Sequence, residues 1–195
     1  MPDHGDAVTT RIGICTLSLA TRDDCATVMG LRDAAARWLQ DQGISQWTPG
    51  ELPRSYFEDR IDQQAVWLMK LEGETVATAT IAWEDPQIWG PRESPHAGYI
   101  HGLVIDRRRA GQGLGRDLLT WAERHISDRG GACARLDCVH ANRSLRAYYE
   151  HAGYVHVGSQ TFPDIAWARD VALYEKPLRT SGNAPPEGFE PSQPA

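Results

Sequence analysis

The run RRRAGQGLGRDLL, Arg107–Leu119, places glycine at 111, 113 and 115 between an arginine cluster and the first apolar positions of a helical pattern. Glycine carries no Cβ, so a backbone built on it can approach another group closely. The first amides of a helix have no partner within it, and the helix dipole adds partial positive charge there, so such a turn is suited to an anion. Leu114, Leu118, Ala122 and Ile126 continue the helix at a period near 3.6. Before the turn, AGYIHGLVI (97–105) is mostly apolar and reads as an internal strand. After the helix, ACARLDCV (132–139) reads as another. A strand, a glycine turn, a helix and a second strand thus form the centre of the chain.

Several anions fit such a turn. A nucleoside-triphosphate loop needs GxxxxGK followed by Ser or Thr, which is absent here. A dinucleotide fingerprint needs GxGxxG; Gly111 and Gly113 supply two glycines, but Arg116 stands at the third position. Asp137 lies near the spacing expected of a ribose-binding acid, yet the chain lacks the repeated strand–helix units that this reading requires. The bland alternative is a turn that only tightens a strand–helix connection.

Working outward, RIGICTLSL (11–19) is a first strand, and Thr21–Gly43 a helix with Thr21 as cap, Asp23 and Asp24 in its first turn, and Val28, Leu31, Ala35 and Leu39 along one face. Pro49, Gly50 and Pro53 make 44–53 a loop before a short helix, RSYFEDRI (54–61). AVWLMKL and TVATATIAW flank EGE (72–74) as a hairpin, and DPQIWGPRESPH (85–96) reads as loop. ANRSLRAYYEHAG (141–153) is a helix that starts at Asn142 and is closed by Gly153, and YVHVGS and VALYEKPL are closing strands. Residues 1–10 are expected to be disordered, 11–179 to form one mixed α/β domain, and the proline-rich 180–195 to be a disordered tail.

A net charge of −6 argues against a broad nucleic-acid face, which leaves Arg107–Arg109 as a local feature. No apolar run is long enough to cross a membrane, and MPDHGDAV lacks the basic start and apolar stretch of a signal peptide. The four cysteines form no CxxC pair and no zinc-like spacing with histidine, so free thiols, a cytoplasmic setting and no metal are expected.

GLVIDRRRAGQGLGRDLLTWA followed by NRSLRAYYEHAGY resembles the paired signature of the GNAT superfamily of acetyl-CoA-dependent N-acetyltransferases. That signature is a strand ending L-x-V, a [QR]-x-x-G-x-[GA] turn opening a helix, and, about thirty residues on, N-x-x-A-x-x-x-Y-E-x-x-G-[FY]. Asn142, Tyr149, Glu150, Gly153 and Tyr154 match in spacing, whereas Leu145 replaces the usual alanine. If Gly113 and Gly115 align with the turn, the Gln/Arg position falls on Ala110; if Gly111 and Gly113 align, it falls on Arg108. The resemblance covers roughly residues 74–158, and the spelling AGQGLG is similar to that of actinobacterial small-molecule acetyltransferases.

The resemblance implies a mostly antiparallel sheet splayed between the fourth and fifth predicted strands, flanked by about four helices. It implies acetyl-CoA as co-substrate, its pyrophosphate cradled by the backbone of Arg109, Ala110, Gly111, Gln112, Gly113, Leu114, Gly115 and Arg116. Its pantetheine arm would pair with Leu103, Val104 and Ile105, whose amides could also hold an oxyanion. Tyr149 matches the general acid of the superfamily, and Asn142 would contact the coenzyme as well as start its helix. For the base, Glu84 is the first candidate and His101 the second. Trp38, Trp47 and Tyr56, with Glu51, Asp59 and Glu84, would suit a cationic small-molecule amine. A homodimer is allowed by the resemblance. The competing function is a non-catalytic acyl-CoA-binding sensor or interaction domain.

Overall fold

The computed structural model describes residues 6–162 and 170–178, and among them the chain forms eight strands and five helices. The expected tail at 180–195 lies outside these residues. Strand order is β1-β2-β3-β4-β5-β6-β8-β7. Of the pairings, β5–β6 is parallel, whereas β1–β2, β2–β3, β3–β4, β6–β8 and β7–β8 are antiparallel. The residues separate into two compact units. The first comprises those up to Ile81 together with Gly102–Trp121, and the second Ala82–His101 together with those from Ala122 onward. No helix among the described residues is long and apolar enough to cross a membrane.

The first unit begins with a hairpin of β1 (Asp6–Thr10) and β2 (Gly13–Leu19), in register through Val8↔Cys15. This corrects the expectation of a disordered start: Asp6–Thr10 is ordered by its ladder and by Trp121 Nε1, which donates to Asp6 Oδ2 at 3.0 Å. Thr21 and Asp24 then close a capping box, with the Thr21 amide and hydroxyl donating to Asp24 Oδ2 at 2.9 and 2.8 Å. They lead into α1 (Cys25–Asp41), whose Cys25 and Val28 pack with Phe57 and Ile61 of α2 (Arg54–Asp62) and with Val66 and Leu68. The last two belong to β3 (Val66–Leu71), which turns through Glu72 and Gly73, both at positive φ, into β4 (Glu74–Ala82).

In the second unit the expected loop at 85–96 contains a helical turn, α3 (Pro86–Trp89). Pro86 at its first position has no N–H to leave unpaired, and Asp85 caps it by accepting from the Ile88 amide at 3.2 Å. Ile88 and Trp89 fill a core with Ala97, Tyr99, Cys133, Val157, Val171 and Leu173. These come from β5 (Ala97–Ile105), β6 (Cys133–Val139), β7 (Val155–Thr161) and β8 (Asp170–Pro177). The Arg135 guanidinium is buried against the same core, paired to Glu175 at 2.7 Å and stacked over Trp89. The remaining helices are α4 (Leu114–Asp128), whose Leu114, Leu118, Ala122 and Ile126 are all buried as the periodicity required, and α5 (Arg143–His151).

β5 and β6 pair only from Ala97↔Cys133 to Ile100↔Leu136. Beyond Ile100 that ladder stops, which is where the predicted splay between the fourth and fifth strands falls once β1 is added to the count.

Candidate functional site

In the first unit, β5 ends at Ile105 and the chain passes through a 3-10 turn, Arg107–Arg109, before α4. Asp106 caps this turn by accepting from the Arg108 amide at 2.9 Å. Its carboxylate also binds the Arg108 guanidinium at 2.6 Å, which holds it below the usual carboxylate range. Gly111 and Gly113 follow at φ +78° and +89°, a region that L side chains avoid, and the space where a Gly111 Cβ would stand is open. The Arg109 amide donates to Asp106, the Gln112 amide to Arg109 and the Arg116 amide to Gly113. The amides of Gly111, Gly113, Leu114 and Gly115 have no partner among the described residues. Four unpaired donors at the start of a fifteen-residue helix, with open space at Gly111 and the Arg11 side chain 3.8 Å from where a Gly113 Cβ would stand, fit a diphosphate.

The arginines divide their work. Arg108 is spent on Asp106 and on Glu74, at 2.8 Å, and so braces the turn. Arg109 reaches Glu74 at 3.5 Å, and Arg116 is exposed in the first turn of α4. Arg107 lies 3.8 Å above the Trp38 ring. Of the strand residues expected to pair with a pantetheine arm, Val104 is buried and Leu103 and Ile105 half-buried, and none has a rung to β6.

The aromatic residues expected around the acceptor have one ring face covered by the chain's own cations. Besides Arg107 on Trp38, Arg32 stands 5.0 Å from Trp47 and Arg60 3.6 Å from Tyr56. Arg32 is in turn paired to Glu51. Glu51 and one face of each of these rings are thus engaged by arginines of the chain.

In the second unit, Tyr149 is buried on α5 with ring centroids 5.5 Å from Tyr148, 6.0 Å from Tyr154 and 6.2 Å from Tyr174. Burial raises its phenol well above the ordinary value, and the neighbouring Cys138, Tyr148 and Asp137 add to the rise. The hydroxyl therefore stays protonated across the physiological range. Asn142 is buried and caps α5, accepting from the Leu145 amide at 3.1 Å.

Glu84, the first candidate base, is exposed. Its neighbour Asp85 is the residue that turns inward, with Oδ2 3.4 Å from His101 Nε2, while His101 Nδ1 lies 3.5 Å from Asp137 Oδ1. Burial pushes the Asp85 carboxyl up, against the opposing pull of His101. Asp85 Oδ2 is buried and accepts no hydrogen bond among the described residues. One ligand atom from each of the three residues can be chosen within 4.8 Å of the others. Each carboxylate lies nearest a different ring nitrogen. Asp137, weighed in the sequence as a ribose-binding acid, faces the imidazole instead.

The sequence profile of the acetyltransferase (GNAT) family matches residues 32–154. The protein named uncharacterized N-acetyltransferase YesJ, from Bacillus subtilis (strain 168), is 33% identical over 167 residues, which is 82% of this chain and 88% of that one. Among solved structures, a GNAT-family acetyltransferase from Listeria monocytogenes 4b F2365 superposes with a TM-score of 0.74 at 23% identity, covering 89% of this chain and all of the other. The structure of yncA from Salmonella typhimurium, solved with its cofactor acetyl-CoA, superposes with a TM-score of 0.61 at 16% identity, covering 90% and 99% of the two chains.

Proposed function

The chain belongs to the acetyltransferase (GNAT) family, and from that premise we propose that it transfers the acetyl group of acetyl-CoA to a primary amine of a small molecule by direct attack. The observation that carries the donor half is the set of unpaired amides at Gly111, Gly113, Leu114 and Gly115. When bound there, acetyl-CoA supplies a thioester carbonyl for the amine and a thiolate leaving group. The backbone of residues 109–116 holds the diphosphate, assisted by Arg109 and Arg116 at the two ends of that segment. Leu103, Val104 and Ile105 offer main-chain groups to the pantetheine amides.

In the same reading a base of this chain removes the amine proton, and the Tyr149 hydroxyl donates to the departing sulfur. Support for the second role is the protonated, buried phenol; support for a small-molecule acceptor is the aromatic, acidic composition of the 38–59 segment. Two measurements test the proposal. Saturating acetyl-CoA should raise the melting temperature by linkage, and NAD(H) should not. Release of free thiol from acetyl-CoA should then depend on an added amine. Stabilisation without thiol release across amine and peptide panels would move the chain to the acyl-CoA-binding sensor reading, and release with peptides alone would replace the small molecule by a protein.

A further inference from the structure

We propose that Asp85, His101 and Asp137 form one proton-handling array, in which His101 is the general base and the two carboxylates are positioning residues that orient its ring and stabilise its charged form. The proposal rests on the acetyl-transfer reading for its chemistry, although its geometry stands by itself. The last parallel rung, Ile100↔Leu136, sets His101 and Asp137 side by side one residue beyond it. Asp85 is fixed independently, by the bond from its carboxylate to the Ile88 amide and by its own amide donating to Glu93 Oε1 at 3.1 Å. The ring is therefore approached from both nitrogens by side chains that the fold holds in place.

Charge gives this arrangement its function. A neutral imidazole has one N–H, so it can satisfy one carboxylate while its lone pair faces the other. The conflict disappears when a proton enters, whether on the second nitrogen or on Asp85, which burial inclines toward its neutral form. Distances of 3.4 and 3.5 Å are long for hydrogen bonds, as is common for catalytic groups before the reacting complex forms. Other titratable groups beside the array are Glu93, next to Asp85, and Cys138 and Tyr149, whose ionisation Asp137 opposes. Asp137 thus favours a proton on the base and on the acid alike.

In the reaction, as the carbon–nitrogen bond forms, His101 takes a proton from the attacking nitrogen. As the carbon–sulfur bond breaks, Tyr149 gives its hydroxyl proton to sulfur. His101 returns its proton through solvent to the phenolate, so an uncharged amine yields amide and thiol with no net proton change. Exposed Glu84 is not needed as the base.

The test reads the ring directly, in the full chain without ligand. With 15N-labelled histidine, the His101 titration midpoint should fall in Asp137→Asn and in Asp85→Asn, because each substitution removes a charge that stabilises imidazolium; Asp137→Glu should restore most of it. A midpoint unmoved by both asparagine variants overturns the proposal. So does Zn2+ alone binding wild type and losing that binding in His101→Gln, since the ring would then be a metal ligand. If an accepted amine is found, the acid limb of kcat/KM should follow the ring midpoint, and His101→Gln should lower kcat by about 10²-fold or more with the acetyl-CoA KM little changed. Absence of any turnover would sink the transfer reading, while the ring titration would still decide the array.

Discussion

Tyr149 tests the chemistry at the level of one oxygen. Tyr149→Phe should lower kcat by about 10²-fold or more, the usual contribution of a placed acid, with the acetyl-CoA KM nearly constant. Steady-state kinetics with both substrates varied would show this, and an unchanged kcat removes the hydroxyl from the mechanism. Gly113 tests the donor turn. A side chain at φ +89° costs roughly 1–2 kcal/mol, so Gly113→Val should lower the melting temperature and also abolish the upward shift produced by acetyl-CoA. Gly130 has nearly the same φ, +87°, with open space around it. Gly130→Val should therefore pay a similar strain yet keep the ligand response, which separates loss of fold from loss of site.

Between elements, a close approach is made where β5 starts. A Cβ on Gly98 would lie 2.5 Å from Ile126 Cγ1 of α4, so glycine here lets the helix sit against the strand. Gly98→Val should destabilise the protein by about 1–3 kcal/mol in urea unfolding, and adding Ile126→Ala should recover part of that loss, a non-additivity absent if the residues do not touch. The same register explains what could be read in advance. The α4 stripe, the cap at Thr21 and the turn at Glu72–Gly73 are local patterns, and each appeared as expected. The polar DAVTT carries no such pattern; its strand comes from the ladder it forms with β2. Asp85, His101 and Asp137 are far apart in sequence, and no spacing links them. The one usable signal was to align the two neighbouring strands and notice that His101 and Asp137 then come level.

Across the whole chain the four thiols behave as part of the interior. All are free and buried, and burial pushes Cys133 and Cys138 up to about 12. Native protein at pH 8 should thus react slowly with a thiol reagent, and all four groups should react promptly in guanidinium. Rapid labelling of the folded state would contradict this. These two raised values also set a pH dependence. The unfolded chain releases such thiol protons near about 8.5, before the folded one does, so stability should decline as pH rises from there toward 12. A melting temperature flat over that interval would count against it. The aromatic segment shows the limit of composition as a guide: it named Trp38, Trp47 and Tyr56, but could not tell a guest cation from the arginines that cover them.

The route of the chain through its two units carries a further consequence. The backbone passes from one to the other after Ile81, returns after His101 and leaves again after Trp121. The return lies inside β5 and the last passage inside α4. No single cut therefore separates the two units cleanly: a break after Ile81 leaves 102–121 on the fragment that carries the second unit, and a break after Trp121 leaves 82–101 on the fragment that carries the first. Anyone wishing to divide the protein, for fragment complementation or for labelling one half alone, would have to splice 102–121 directly onto 81 and 122 directly onto 101, because a circular permutant would still alternate between the units.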